Sequence, residues 1–277
     1  MTRATTSSDL TRQQRAAVAE ASERIRVAAR TGIPCPPVRD LIGADDVTMA
    51  YAVQQLLKEH RLAGGARIVG RKIGLTSPAV QKQLGVDRPD FGVLFDDMDV
   101  TDRPSVPSTR LLQPKTEAEI AFVLGADLAD GPLDDAQVRG AVAYAVAALE
   151  IVDSRIVGWD ITFGDTVADN ASSGLFVLGT TRRSLEEFEP VEATMRMTLD
   201  GTVVSEGSGA ACLGDPLAAL AWLARTAREF GDPLRAGQVV LSGALGPMVA
   251  TPRGSRVHAE ISGLGSVDAT FSGEDQL

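Results

Sequence analysis

The sequence predicts an α+β protein with a helical N-terminal region, residues 1–65, followed by a strand-rich body, residues 66–277. Two observations predict this class. The first region has long segments with helical apolar spacing, whereas the second has short β-rich runs separated by Gly, Pro and Asp turns. The strands also fail to alternate regularly with helices, which argues against a doubly wound parallel sheet.

Four segments combine a capping residue at the start with helical apolar spacing, and these are the predicted helices. In the N-terminal region, Thr11 can cap the first helix and Gly32 can end it. The second helix is capped near Asp45 and stopped at Gly64. The two helices predicted in the body cover residues 134–149 and the segment from residue 215 to 231.

Eight β-rich runs predict the strands of the body. Asp200-Gly201 separates two alternating runs and predicts a tight hairpin turn. The runs are residues 66–75, 91–95, 118–125, 149–158, 174–179, 192–207, 238–245 and 255–271.

The chain carries a formal net charge of −10 and has a pI of about 4.8. Such a surface repels nucleic acid and anionic membranes, so we expect neither as a partner. A small anionic substrate would need a local positive centre, either a metal ion or a few basic side chains. No apolar stretch approaches the roughly 20 residues of a membrane span, and the N-terminus lacks a signal-peptide pattern. We therefore expect a cytoplasmic protein.

Cysteine and histidine are scarce, which limits the chemistry of the site. Cys35 and Cys212 form neither a metal-ligand cluster nor a disulfide framework. A Ser–His–Asp triad or a histidine-based zinc site would have to use His60 or His258, which lie in dissimilar contexts.

Two carboxylates, Glu117 and Glu119, stand at the start of an apolar run. Because side chains on a strand alternate between its faces, both point the same way. Spacing alone leaves two interpretations open: a solvated strand end, or a divalent metal site that uses carboxylate oxygens. Glu150 also lies in an apolar run and favours the metal site, although an ion pair with an arginine is its alternative.

A lysine and an aspartate form a second group of candidates. Lys72 lies between Gly70 and Gly74 in an apolar run. An ammonium group there can bind a substrate carboxylate or, with a lowered pKa, act in acid–base chemistry. Its alternative is a strand lysine whose charged end reaches solvent. Asp90 lies on a predicted turn, where Asp usually caps the local backbone.

Two serines lie in polar segments that follow or interrupt apolar runs. Ser172 belongs to GDTVADNASSG, residues 164–174, which is predicted as a polar loop. Ser242 follows a predicted strand, and Gly243 beside it would let backbone N–H groups approach a carboxylate. The glycine spacing matches neither a Rossmann fingerprint nor a P-loop.

Seven longer segments carry a family resemblance. They are KIGLTSPAVQKQLGVDRPDFGVLFDDM, LQPKTEAEIAFVL, ALEIVDSRI, DTVADNASSG, CLGDPLAALAWLAR, GALGPMVA and GLGSVDATF. Together and in this order they resemble the 2-hydroxypenta-2,4-dienoate hydratase family of the fumarylacetoacetate hydrolase superfamily. The resemblance covers residues 70–271 and extends more loosely through the N-terminal helices. It implies an α+β fold with a mixed, rolled β-sheet body that is catalytic.

The resemblance also implies a Mg²⁺ or Mn²⁺ ion and a set of site residues. The implied metal ligands are Glu117, Glu119 and Glu150, and the implied substrate-binding or catalytic residues are Lys72, Asp90, Ser172 and Ser242.

The implied reaction adds water to 2-hydroxypenta-2,4-dienoate and gives 4-hydroxy-2-oxopentanoate, in aromatic catabolism after meta-cleavage. The ion would chelate the carboxylate and the 2-oxygen of the substrate as a Lewis acid. A proton would add at C5 and water at C4. Lys72 would orient the substrate and transfer a proton, and Asp90 would handle water or a proton.

Alternatives remain within the same superfamily. A 4-oxalocrotonate decarboxylase would share the metal ligands, but ITFGDTVADNAS looks more like the hydratases. A seven-carbon dienedioate hydratase would need an extra cation. Hydrolysis of an acylpyruvate or of fumarylacetoacetate would need a His/Glu pair to activate water, and both histidines, His60 and His258, lie outside the matching segments. The alternative from a different functional class is a protein without catalytic activity that assembles with one of these enzymes. The family forms homo-oligomers, so we expect one here, and a complex with a pathway enzyme is a further expectation.

Overall fold

The computed structural model describes residues 10–77, 81, 86 and 88–273 of the 277-residue chain. Residues 1–9 of the predicted helical region and 274–277 of the predicted body lie outside this range. The helices are α1 (Arg12–Thr31), α2 (Arg39–Ile42), α3 (Val47–Ala63), α4 (Asp135–Ala141), α5 (Phe163–Ala168) and α6 (Pro216–Glu229). The strands are β1 (Ile68–Gly74), β2 (Asp90–Phe95), β3 (Lys115–Leu124), β4 (Val142–Val152), β5 (Ser173–Leu178), β6 (Thr194–Leu199), β7 (Thr202–Ser208), β8 (Val239–Ala244), β9 (Val249–Ala250), β10 (Arg256–Ile261) and β11 (Gly265–Thr270).

The two long N-terminal helices begin and end close to the predicted positions. Thr11 caps α1 by accepting a hydrogen bond from the backbone N–H of Gln14 at 3.2 Å, and Gly32 ends it with a φ of 70°. Asp46, one residue beyond the predicted position, caps α3 through the N–H of Met49. These side chains satisfy N–H groups that the first helical turn leaves free, and both predicted helices are confirmed.

The larger sheet has seven strands among the described residues, in the order β2-β1-β8-β3-β4-β5, with β9 paired beside β3. β1 and β8 run parallel, whereas the other pairs are antiparallel, so the sheet is mixed. The sheet is curled, and its central strands β3 and β4 are buried along most of their length. The predicted mixed, rolled sheet is thereby confirmed.

The smaller sheet is antiparallel and has the order β11-β10-β6-β7. Asp200 and Gly201, with φ of 50° and 81°, connect β6 to β7 and confirm the predicted hairpin. β10 and β11 pack against β4 of the larger sheet. The buried apolar side chains of both sheets therefore belong to one continuous core.

Residues 142–149 form a strand and not the second half of the predicted helix. α4 ends at Ala141, and β4 continues directly from Val142. Alanine-rich sequence favours a helix by propensity, but β4 lies between β3 and β5 and is buried from Ala145 onwards. Pairing with two strands satisfies its backbone, and small side chains fit the crowded position. The expectation of a helix to residue 149 is wrong, and Glu150 lies in the sheet beside β3.

Gln54 of α3 connects the N-terminal helices to the body. Its Nε2 donates hydrogen bonds to the carbonyls of Phe91, at 2.9 Å, and Val167, at 3.0 Å. Phe91 belongs to β2 and Val167 to α5, so one buried amide joins three elements. The division of the chain at residue 65 stays a prediction, and it falls in the link between α3 and β1.

Candidate active site

Three carboxylates meet on one face of the larger sheet. Glu117 of β3 and Glu150 of β4 are direct partners in the strand register, and Glu119 lies two residues further along β3. One carboxylate oxygen from each side chain lies within 4.8 Å of the other two. The structure therefore brings together the three residues that the sequence predicted as metal ligands.

Two of these carboxylates are buried without enough hydrogen-bond donors. Glu119 and Glu150 are 0% and 1% exposed. Within the described ranges, Glu119 Oε1 and both carboxylate oxygens of Glu150 have no hydrogen-bond partner. The other oxygen of Glu119 accepts a hydrogen bond from the N–H of Gly243 at 2.8 Å. Buried oxygens of this kind are costly unless a cation offsets their charge.

The donor set fits a hard divalent cation, because Mg²⁺ and Mn²⁺ prefer carboxylate oxygens. Burial raises the pKa of Glu117 to about 7 and that of Glu119 well above its ordinary value, and the charge of Glu150 adds to both shifts. A bound cation would favour the ionised forms. The alternative of a solvated strand end is wrong, because β3 pairs with β4 and β8 on its two sides and Glu119 is buried.

Lys72 faces Glu150. The sequence alone had left an ion pair of Glu150 with an arginine as an alternative. Lys72 Nζ lies 3.1 Å from Glu150 Oε1, although the contact lacks hydrogen-bond geometry. The side chain does not reach solvent, since Lys72 is 2% exposed. Burial lowers its pKa, but the nearby carboxylates, Glu150 foremost, outweigh burial and raise the pKa. Lys72 is therefore held protonated, in contrast to the lowered pKa considered from the sequence.

Asp90 begins β2, instead of lying on the predicted turn, and it faces Gly74 across the β1–β2 pairing. A Cβ atom on Gly74 would overlap Asp90 Oδ1 and lie 3.5 Å from Lys72 Nζ, so this glycine makes room for both groups. Burial raises the pKa of Asp90 to about 6 against the opposing effect of Lys72. Asp90 is thus a buried carboxyl group with a raised pKa beside an ammonium group.

Ser172 ends a left-handed turn, which with α5 replaces the predicted polar loop. Asn170, Ala171 and Ser172 have φ of 54°, 51° and 52°. This conformation costs roughly 1–2 kcal/mol for each residue with a Cβ atom, so surrounding contacts must hold it. Ser172 is buried, its Oγ lies 3.3 Å from Thr166 Oγ1, and the turn packs against β1 and β2.

Ser242 lies on β8, between the strands that carry Lys72 and Glu119. It is buried, and its Oγ has no hydrogen-bond partner in the part of the chain that the structure describes. The Cys212 thiol donates to the carbonyl of Ser242 at 2.9 Å. Gly243 uses its N–H for Glu119, so the predicted carboxylate contact at this segment is to a protein side chain.

Three polar residues that support the site were not predicted: Gln54, Thr166 and Asn170. Gln54 and Asn170 find partners 113 and 77 positions away in the chain, at Val167 and Val93. No short-range pattern in the sequence can link residues that are so far apart in the chain. The position of Thr166 and Asn170 in a polar segment between apolar runs was the only available signal.

Comparisons with known proteins cover almost the whole chain. Residues 78–272 match the family model described as fumarylacetoacetate (FAA) hydrolase C-terminal. The chain is 54% identical to a protein of Burkholderia vietnamiensis named 2-keto-4-pentenoate hydratase, over 92% of this chain and 97% of that protein. It is 52% identical to a Pseudomonas putida protein named TodF product hydratase, over 96% of this chain and 99% of that protein.

A solved structure also resembles the chain over nearly its full length. It is 4-oxalocrotonate decarboxylase from Pseudomonas putida G7, complexed with magnesium and adipate. The TM-score is 0.88 at 35% identity, and the match covers 95% of this chain and 98% of that chain.

Proposed function

Because the chain belongs to the 2-keto-4-pentenoate hydratase family of the fumarylacetoacetate hydrolase superfamily, we propose that it is a metal-dependent hydro-lyase. It adds water to 2-hydroxypenta-2,4-dienoate and gives 4-hydroxy-2-oxopentanoate in aromatic catabolism after meta-cleavage. The observation that best supports this function in the structure is the group of three carboxylates with unpaired oxygens beside Lys72.

Glu117, Glu119 and Glu150 are the proposed ligands of Mg²⁺ or Mn²⁺. The ion supplies Lewis-acid polarisation of the substrate carboxylate and 2-oxygen when it is bound. Three carboxylates and the single ammonium of Lys72 leave two negative charges at this place when all are ionised. A divalent cation held by these residues would balance that charge and would offset the cost of burying the carboxylates together.

Lys72 is proposed to orient the substrate, and Asp90 is proposed to transfer protons. The ammonium of Lys72 donates hydrogen bonds to a substrate oxygen and orients the substrate. Burial raises the pKa of Asp90 to about 6, which suits a group that accepts a proton from the 2-hydroxyl and delivers one to carbon. Protonation at C5 gives the α,β-unsaturated ketone, and water then adds across C3 and C4.

The hydroxyl groups of Ser172 and Ser242 are proposed to bind the substrate. Each can donate one hydrogen bond and accept others, which suits a substrate that carries both carboxylate and hydroxyl oxygens. Both residues are buried, and the Oγ of Ser242 has no partner among the described residues. A substrate oxygen would satisfy it.

The hydratase activity is tested with freshly generated 2-hydroxypenta-2,4-dienoate. Purified protein with Mg²⁺ should remove the ultraviolet absorbance of the dienoate faster than spontaneous ketonisation, and EDTA should stop this. Loss of absorbance at the spontaneous rate would rule out the hydratase. The decarboxylase, whose fold the chain shares, would instead release CO₂ from 2-oxohex-3-enedioate.

The proposed oligomeric state, partners and location of the enzyme rest on features outside the site. The family resemblance supports a homo-oligomer and an association with a pathway enzyme. Catabolism of a small carboxylate suits the cytoplasm. No helix in the described ranges has the length and apolar character needed to cross a membrane. The net charge of −10 disfavours nucleic acid as a partner.

A further inference from the structure

Asn170 joins the turn that ends in Ser172 to the edge of the larger sheet. Its Oδ1 accepts a hydrogen bond from the N–H of Val93 at 2.8 Å, and its Nδ2 donates to the carbonyl of Val93 at 2.9 Å. β2, which contains Val93, lies at the end of the strand order. The carboxamide therefore pairs with Val93 as a neighbouring strand would, and it satisfies both backbone groups with one side chain.

The backbone of the turn also packs closely on β2. A Cβ atom on Gly92 would lie 2.5 Å from the carbonyl oxygen of Asn170 and 2.5 Å from Ser173 Oγ. Ser173 Oγ donates a hydrogen bond to that same carbonyl at 2.7 Å. Only a glycine at position 92 permits this approach.

A second set of contacts fixes the turn against the end of β4. The N–H of Asp153 donates to the carbonyl of Ser172 at 2.8 Å. Arg155 donates from Nε to Asp169 Oδ1 at 2.6 Å, and from its guanidinium to the carbonyl of Ser173 at 2.6 Å. The turn therefore bridges β2 and β4, which carry different parts of the site.

Three successive left-handed residues with Cβ atoms do not hold this conformation unaided. Asparagine adopts it more readily than most residues, but Ala171 and Ser172 have no such preference. The contacts on both sides of the turn are what keep Ser172 in place, and the carboxamide of Asn170 provides the side-chain contact to β2.

We propose that Asn170 is a positioning residue for the hydration reaction: its carboxamide clamps the turn to β2 and thereby fixes Ser172 relative to Asp90, which begins the same strand. This inference rests on the proposed function, in which Ser172 binds the substrate and Asp90 transfers protons. Asn170 acts through these two residues and contacts no reacting atom.

Asn170→Gly removes the clamp without adding a conformational penalty, because glycine adopts the left-handed conformation freely. We expect kcat/KM to fall by about tenfold or more, since misplacement of substrate-binding groups is costly to catalysis. Calorimetric affinity for Mn²⁺ should stay within about twofold of wild type, because the carboxylates lie on β3 and β4 and the substitution leaves the contacts between the turn and the end of β4 in place.

Asp200→Gly is the matched control. Asp200 has a φ of 50°, and its Oδ1 accepts a hydrogen bond from the N–H of Arg256 at 2.8 Å. This variant loses the same kind of contact at the same kind of backbone position, in the hairpin of the smaller sheet. Its kcat/KM should equal that of wild type.

Asn170→Asp separates positioning from general loss of structure. The ionised carboxylate still accepts a hydrogen bond from the Val93 N–H, but its second oxygen repels the carbonyl oxygen of Val93. The protonated carboxyl group can instead donate a hydrogen bond to that carbonyl. The ratio of variant to wild-type kcat/KM should therefore rise as the pH is lowered from about 8 to about 6, where a carboxyl group near an acceptor regains its proton.

Hydrogen exchange of the metal-free protein reports the clamp directly. In Asn170→Gly, the amide of Val93 should exchange faster while that of Val240 in β8 stays protected. Wild-type kcat/KM in a variant with fast Val93 exchange would overturn the proposal, as would a loss of Mn²⁺ affinity as large as the loss of kcat/KM. If wild-type protein releases CO₂ from 2-oxohex-3-enedioate and leaves the dienoate unchanged, the proposed function fails, and the same variants compared on that substrate test Asn170.

Discussion

Glu117 and Glu150 face each other directly across the pairing of β3 with β4, where like charges destabilise a sheet. Glu119 adds a third carboxylate, and within the described residues Lys72 is the cation that forms an ion pair with this group. The sheet therefore carries excess negative charge next to its core. Metal-free and metal-loaded protein should differ in stability and in the response to pH.

Glu119→Gln should abolish metal-dependent turnover and leave the fold intact. The amide keeps the size of the side chain but removes one anionic ligand and one source of repulsion. The melting temperature of the metal-free variant should therefore equal or exceed that of metal-free wild type. Glu206→Gln, at an exposed position of β7, is the control and should leave activity unchanged. Wild-type turnover of Glu119→Gln after EDTA treatment would show that the ligands are misassigned.

The metal-free protein should lose stability as the pH rises from about 4.5 to about 7. The pKa of Glu117 is raised from 4.5 to about 7, and that of Asp90 from 3.8 to about 6. Between these values the folded state binds more protons than the unfolded state, so the free energy of unfolding falls with rising pH and levels off above the folded pKa.

Urea unfolding in EDTA at about pH 5.5 and about pH 7.5 measures this difference. Saturating Mg²⁺ should raise stability most at the higher pH, because the ion binds ionised carboxylates. Equal free energies of unfolding at both pH values without metal would contradict the placement of unpaired carboxyl groups in the interior.

Lys72→Met should lower kcat/KM by about 100-fold or more, because the substrate loses the ammonium group that orients it. It removes the ammonium that faces Glu150 but keeps a side chain of similar length in β1. Lys58→Met is the matched control, since Lys58 pairs with Asp232 at 3.0 Å, a distance close to that of the Lys72 pair. If both variants lose activity equally, Lys72 has no special part in the reaction.

Gly243→Ala should weaken metal binding and lower the melting temperature. Gly243 has a φ of 114°, a Cβ atom there would overlap the side chain of Thr76, and its N–H holds one oxygen of Glu119. Gly237→Ala is the control, because Gly237 has a φ of 83° and open space around it. The control should lose stability on the order of 1 kcal/mol from backbone strain but keep its Mn²⁺ affinity. Equal Mn²⁺ affinities in the two variants would contradict a role for the Gly243 N–H.

Local signals predicted the elements whose partners lie close in the chain. Thr11 and Asp215 cap helices through N–H groups three and two residues away, and Asp200-Gly201 needs only its own backbone conformation to form the hairpin. The alternation of side chains likewise placed Glu117 and Glu119 on one face, because that rule follows from strand geometry alone.

Features that depend on distant partners were not predictable in this way. The alanine-rich segment after Ala141 is a strand because β3 and β5 lie on its two sides, and its own sequence does not show them. The sequence placed Lys72 in an apolar run and left open whether its ammonium binds a carboxylate, has a lowered pKa or reaches solvent. It did not show the carboxylates of other strands, which raise the pKa of Lys72 in the structure.

Because of Gln54, we expect that the N-terminal helices cannot be swapped on their own between related enzymes. The carboxamide of Gln54 donates to the carbonyls of Phe91 and Val167, so it depends on the exact position of two segments far along the chain. A chimaera could be joined at the link between α3 and β1, where the helical N-terminal region gives way to the strand-rich body. It would bury the Gln54 amide against acceptors that come from the other parent. Recombination between homologues should therefore place its crossover beyond α5, so that helix, strand and acceptors are inherited together.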